Sequence, residues 1–154
     1  MSHERRPAAG DAAGLADRVC FLNADIAALG AADAMYDLVL IVEAVHDLAR
    51  PVAALAEAHR VVKPDGFVVV VDERTPDEFT APSDDPVERV LYAISVLHCL
   101  PATMAQHPLA LPDGAATGTV LRPSTLREYA QRAGFARVET LPAEHEMLRG
   151  YLLR

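Results

Sequence analysis

Tryptophan is absent from this chain, cysteine occurs twice and lysine once, at Lys63. Cys20 and Cys99 lie far apart with no CxxC spacing, so neither a disulfide framework nor a cysteine metal site is indicated. The six histidines show no HxxxH or HxH spacing, and no metal is expected from them. With one lysine and 22 acidic against 14 basic residues, a net charge of −8, the chain lacks the cationic clusters that a phosphate backbone requires, which argues against nucleic acid as a principal ligand. Long apolar runs are missing as well. The longest, near Leu38–Val42 and Phe67–Val71, are far too short to span a bilayer. The opening MSHERRPAAG is charged with no apolar core behind it, unlike a signal peptide. These absences lead us to expect a soluble, cytoplasmic protein with neither membrane nor nucleic acid as partner.

What is present is enough to build a core: 154 residues, the size of one domain, 51% of them hydrophobic. The most informative stretch runs from Tyr36 to Glu73. Tyr36–Val42 is a nearly unbroken apolar run with β-branched members, as expected of a strand covered on both faces. Pro51 suits the first turn of a helix to about Val62, with Val52, Leu55, Ala56, His59 and Val62 at helical spacing. Lys63-Pro64-Asp65-Gly66 signals a turn, and Phe67–Val71 a second buried strand. The pattern is one β-α-β unit, for which we expect adjacent parallel strands. Glu43, His46, Asp47, Asp72 and Glu73 all fall just past strand ends, where doubly wound sheets bind ligands.

Around this unit, residues 1–17 read as a loose lead-in broken by Pro7, Gly10 and Gly14. Arg18–Leu22 is a short strand candidate, followed by a turn at Asn23-Ala24-Asp25. Residues 74–118 form an insertion of loops and one helix, from Pro86 to about Cys99, with Val87, Val90, Leu91, Ile94 and Leu97 on one face and a proline-rich loop over 100–118. Thr125 and Glu128 have the spacing of a capping box for a last helix ending at Ala133-Gly134. Ala136–Leu141 and Met147–Leu153 are strand candidates able to pair antiparallel.

Four segments in this order, RVCFLNAD, YDLVLIVEAVHD, HRVVKPDGFVVVVDE and AGFARVE, resemble class I S-adenosylmethionine-dependent methyltransferases from their third strand to their seventh. SVLHCLP and GTVLRPSTLREYAQRAGF are similar to a bacterial subgroup that carries an N-terminal winged helix. The resemblance covers residues 14–154 and implies an α/β fold: a partial Rossmann-like sheet, mostly parallel, with an antiparallel C-terminal hairpin, in a catalytic part spanning 18–154. The family's glycine-rich loop and the acid ending its second strand have no counterpart here, so the chain looks like the carboxyl-terminal half. An intact member would transfer a methyl group from S-adenosylmethionine to a small-molecule acceptor. This chain alone is expected to bind that cofactor weakly or not at all. A bare half-sheet also leads us to expect self-association or a partner chain.

The resemblance places Asp25 at the adenine amino group, with Ala24 and Ile26 beside it; otherwise Asp25 caps a short helix. It places Glu43 and His46 between cofactor and acceptor, where either group is suited to take a proton as methyl transfers. The plainer alternative is that His46 caps a helix and Asp47 binds backbone. His98, in an insertion that would lid the acceptor, is a second candidate base, against a simple packing role. Glu73 and Arg74 either line the acceptor pocket or form a surface ion pair. The rivals to catalysis are a non-catalytic binding or dimerisation module and half of a split enzyme. A nicotinamide-dependent oxidoreductase fits poorly, because its fingerprint is the missing first unit.

Overall fold

The computed structural model describes residues 14–15, 17–106, 115 and 117–154. Its elements run β1 (Tyr36–Val42), a 3-10 turn (Val45–Asp47), α1 (Pro51–Val61), β2 (Val62–Glu73), α2 (Pro86–Ile94), a π-helical turn (Ser95–Cys99), α3 (Leu100–Gln106), α4 (Pro123–Arg132), β3 (Val138–Thr140) and β4 (Leu148–Leu153). The strands form one mixed sheet in the order β1-β2-β4-β3. β1 and β2 are adjacent and parallel, as the β-α-β pattern requires. The C-terminal hairpin is antiparallel and joins the sheet through β4 on β2.

Pairing of Val39 with Val68 and Ile41 with Val70 sets the faces of the sheet. Side chains alternate along a strand, so these four lie on one face with Tyr151 and Leu153 of β4. α1 and α4 cover that face, and Leu55, Ala58, Leu126, Ala130 and Phe135 complete the core. The opposite face carries Leu38, Leu40, Val42 and Phe67, which are 55%, 57%, 49% and 42% exposed. The expectation that both β1 and β2 are covered on both sides therefore fails: β1 is an edge strand, and no described element packs over its outer face.

Other corrections have local causes. Arg18–Leu22 forms no strand; Leu22 makes a single bridge, and Val19, Phe21 and Leu22 stay 40–55% exposed. An extended segment needs a ladder partner to become a strand, and none of the four strands lies alongside it over its length. Helix α1 fully buries a stripe of Pro51, Ala54, Leu55, Ala58 and Val61, with Val52 and Ala56 half-buried against the same core and His59 exposed. Two alanines in that stripe let its backbone approach the sheet, which sets the face more strongly than side-chain size. The Lys63–Gly66 turn lies inside β2 as a bulge, where the register jumps from Tyr36↔Val62 to Leu38↔Phe67. Gly66 is required there, since a Cβ would stand 2.7 Å from the Asp37 carbonyl oxygen.

The insertion departs furthest from expectation. Of its apolar stripe only Leu91 is buried; Val90, Ile94 and Leu97 are 50%, 39% and 80% exposed. The inward residues are Glu88, Leu91, Ser95 and Cys99. Glu88 accepts hydrogen bonds from Ser83 and Tyr92, so this buried acid is satisfied. Helix also continues where a loop was expected, over Leu100–Gln106. The π turn widens the backbone just ahead of Pro101, whose ring would clash in a regular helix. In α4 the Thr125–Glu128 box does not form: Pro123 starts the helix at Arg122, and Asp77 caps it by accepting from the Ser124 amide at 2.7 Å.

Candidate active site

Parallel β1 and β2 bring their carboxyl ends to one edge, and the ionisable residues converge there. Glu43 ends β1 with φ +50°, a left-handed kink that a non-glycine residue seldom adopts. The kink throws the chain into the 3-10 turn and carries His46 over the end of β2. Its ring is 4% exposed. Nδ1 lies 2.7 Å from Asp72 Oδ1 and 2.9 Å from Glu73 Oε2. Its one hydrogen goes to Asp72, which also accepts from the Glu73 amide at 3.0 Å. Glu73 Oε2 is therefore an electrostatic neighbour without a hydrogen bond, and Asp72 Oδ2 is equally unpartnered. On the other side of the ring, Nε2 makes no hydrogen bond among the described residues; Asp47 Oδ1 is 3.5 Å away.

This packing fixes the charges. Burial disfavours a charged His46, but the hydrogen bonds and charges of Asp72 and Glu73 outweigh it and its pKa is pushed up to about 11. Burial also raises Asp72, yet its bond to His46 prevails and holds it below the usual carboxylate range. Glu73 is pushed up to about 7, chiefly by burial and by Asp72, against the pull of His46. Glu43, exposed at the rim, is raised by partial burial and by Asp72. At neutral pH the edge thus holds an imidazolium inside a ring of carboxyl groups.

The sequence candidates divide clearly. His46, Glu43, Asp47 and Glu73 come together, and Asp72 proves to be the partner that orients the ring. His98 is exposed and stands outside this cluster; its neighbour Cys99, 6% exposed, is the one turned inward. His46, Asp47 and Cys99 bring ligand-capable atoms within 4.8 Å of one another. No sequence spacing signals that meeting, because Cys99 arrives from the insertion. Arg74 donates to the His145 carbonyl rather than to Glu73. Asp25 starts a turn rather than a helix, accepting from the Ala27 amide at 2.9 Å and from Arg50 at 2.7 Å. With Ile26 it lines a cleft of about 130 Å³ against Asp47–Arg50, while Ala24 is half-buried beside it. A cleft of about 620 Å³ lies at the opposite end of the sheet around Gly66 and lacks this cluster.

Residues 1–70 match the family model described as a methyltransferase domain. Among solved structures the chain is similar to an O-methyltransferase family protein from Burkholderia thailandensis, at TM-score 0.65 and 15% identity, covering 94% of this chain and 38% of that one. The mitomycin 7-O-methyltransferase MmcR is similar at TM-score 0.59 and 20% identity, over 94% of this chain and 36% of its own. The trans-methyltransferase CalH, in a complex with SAH, gives TM-score 0.54 and 19% identity, over 84% and 33%. No curated protein matches the sequence. The chain spans between a third and two fifths of the length of these structures. The chain therefore shares its fold with part of these methyltransferase structures, and its first 70 residues match the methyltransferase-domain model.

Proposed function

We propose that this chain supplies the acceptor side of an S-adenosylmethionine-dependent methyltransferase, acting on a small molecule, with His46 as the group that meets the attacking atom. The observation that carries this reading is the buried imidazole tied to Asp72 and Glu73 at the carboxyl ends of two parallel strands. Methyl transfer needs alignment of the sulfonium methyl with a nucleophile more than it needs many catalytic groups. Asp72 holds the ring of His46 and, with Glu73, stabilises the charge it carries, so Nε2–H can donate a hydrogen bond to an acceptor oxygen and orient it for attack. Asp47, exposed and 3.5 Å from Nε2, and Glu43 at the rim are the carboxyls available for the departing proton, and the acidic edge also suits a cationic sulfonium. Ala24, Asp25 and Ile26 are assigned to the adenine side, where Arg50 already holds one oxygen of Asp25. His98 is the weaker candidate, because it is exposed and apart from the cluster.

Titration of the isotope-labelled chain with S-adenosylmethionine, followed by amide chemical shifts, tests the assignment. Movement confined to Ala24–Ile26 and Glu43–Asp47 at high micromolar to millimolar cofactor is expected. No movement at either segment at millimolar cofactor would remove the chain from the cofactor site, whereas submicromolar affinity without any partner would show that its cradle is complete.

A second reading rests on a different observation, the bare face carrying Leu38, Leu40, Val42 and Phe67. Exposed apolar edge strands template association. A second copy, or a chain bringing further strands and a glycine-rich turn, would cover this face; on this reading the chain serves as an association module with or without catalysis.

A further inference from the structure

The inward turn of Cys99 places a thiol where the methyl-transfer reading has no use for it. We propose that His46 Nε2, Asp47 Oδ1 and Cys99 Sγ form a binding site for a thiophilic divalent cation, zinc by preference. Nitrogen, oxygen and sulfur donors from three side chains are a zinc-type set, and three protein ligands leave a fourth position for water or a ligand. The half-exposed Asp47 puts that position at the solvent rim.

Three features prepare the site. His46 donates Nδ1–H to the buried Asp72 at 2.7 Å, which fixes the ring and directs Nε2 outward; metal-bound histidines are commonly held this way by a carboxylate. Nε2 belongs to a side chain more than nine-tenths buried, yet has no hydrogen bond among the described residues, so a cation can take the place of the proton the charged ring carries there, releasing it to solvent. The scaffold also ties the two halves together: the single Thr103 Oγ1 hydrogen is shared between the Cys99 carbonyl at 2.9 Å and the Asp47 carbonyl at 3.2 Å. Gly118 packs against Ser95 so closely that a Cβ would collide with its hydroxyl, which seats the π turn presenting Cys99. π turns of this kind recur at functional sites.

His46, Asp72 and Glu73 also gather three donor atoms, but their geometry suits a proton instead. The 2.7 and 2.9 Å separations at Nδ1 are hydrogen-bond distances, shorter than the edge of about 3.3 Å in a tetrahedron with bonds of about 2.0 Å. The 3.5 Å between Nε2 and Asp47 Oδ1 is close to that edge, and rotation of the exposed carboxylate can bring the outer set to bonding distance. Asp72 and Glu73 then act from behind the ring, their negative charge favouring a cation on Nε2.

Titration of the tag-free chain with Co²⁺ reads the site directly, without any assay of activity. One equivalent is expected to give tetrahedral visible bands and a near-ultraviolet thiolate-to-cobalt band. Cys99→Ser should abolish the near-ultraviolet band, Cys20→Ser should retain it, and Asp47→Asn should weaken binding about tenfold. The absence of a thiolate band in the wild-type chain, or its survival in Cys99→Ser, would overturn the proposal. Should Cys99→Ser fail to fold by circular dichroism, alkylation of the wild-type chain decides: Zn²⁺ is expected to protect Cys99 and leave Cys20 reactive, and equal labelling with and without Zn²⁺ refutes the site.

Discussion

The two faces of the sheet are built from the same kind of residue and meet opposite fates. On one, Val39, Ile41, Val68 and Val70 lie under α1 and α4, and Val68 and Val70 are fully buried. On the other, Leu38, Leu40, Val42 and Phe67 point away from every described element. Nothing in the composition of β1, YDLVLIV, separates them; the difference is made by what packs on top. A strand apolar on both sides records that both sides are meant to be covered, but not by which part of which chain. The proposed site shares this division: the cluster of His46, Asp72 and Glu73 is assembled and buried, while the proposed cofactor side is represented only by the turn at Asp25.

The sharpest test of the comparison is a paired truncation. Leu55→Ala, under the covered face, should lower unfolding free energy by about 2–5 kcal/mol in urea denaturation. Leu40→Ala, on the bare face, should change it by about 0.5 kcal/mol or less in a monomer. Equal losses would mean that the outer face is covered in solution, and the comparison would break. Next in size, if a second copy provides the cover, sedimentation should show concentration-dependent association, and the pair Leu38→Lys with Leu40→Lys should raise the dissociation constant at least about tenfold, or about 1.4 kcal/mol. A compact monomer at high micromolar concentration that binds no hydrophobic dye would exclude self-association.

On the catalytic side, His46→Gln in an active assembly should lower turnover by about 10²–10⁴-fold, the range of a proton-handling group. His98→Gln should have little effect, and the reverse ranking would transfer the role to the insertion. The smallest effect expected is acid sensitivity. Glu57 is hydrogen-bonded by Arg60 and by the Leu29 amide, which hold its pKa down to about 2 against an ordinary 4.5. A depressed carboxyl contributes stability above its unfolded pKa and loses it as pH falls toward the folded one. Thermal stability should therefore decline between about pH 4.5 and pH 2, and Glu57→Gln should be less stable at neutral pH and flatter across that window. An unchanged slope in the variant would show that Glu57 does not anchor the segment before β1.

The β1-α1-β2 unit and the C-terminal hairpin were legible in the sequence because their signals are local: β-branched runs, Pro51 opening a helix, Gly66 at a tight approach. The same locality explains the failures. Arg18–Leu22 has a strand's composition but no ladder alongside it. The helical spacing of α1 found residues in or against the core, Leu55, Val52, Ala56 and Val62, but passed over Ala54 and Ala58, because alanines are weak in any hydropathy reading. His46 and Glu73 could be picked out as strand-end residues. Their meeting at one ring nitrogen, and the arrival of Cys99 in place of His98, depend on a crossover and an insertion that no spacing encodes.

The π turn at Ser95–Cys99 has a further consequence, for how this region tolerates changes in length. A helix advances about 100° per residue, so one residue gained or lost there would rotate everything after it relative to α2 by roughly that angle. Deleting a single residue between Ser95 and Cys99 would withdraw the thiol from His46 and bring a neighbour into its place, with hardly any change in composition. The insertion thus behaves like a dial with discrete settings. In homologous chains, the length of this turn should predict which side chain faces the histidine better than the identity of any one residue within it.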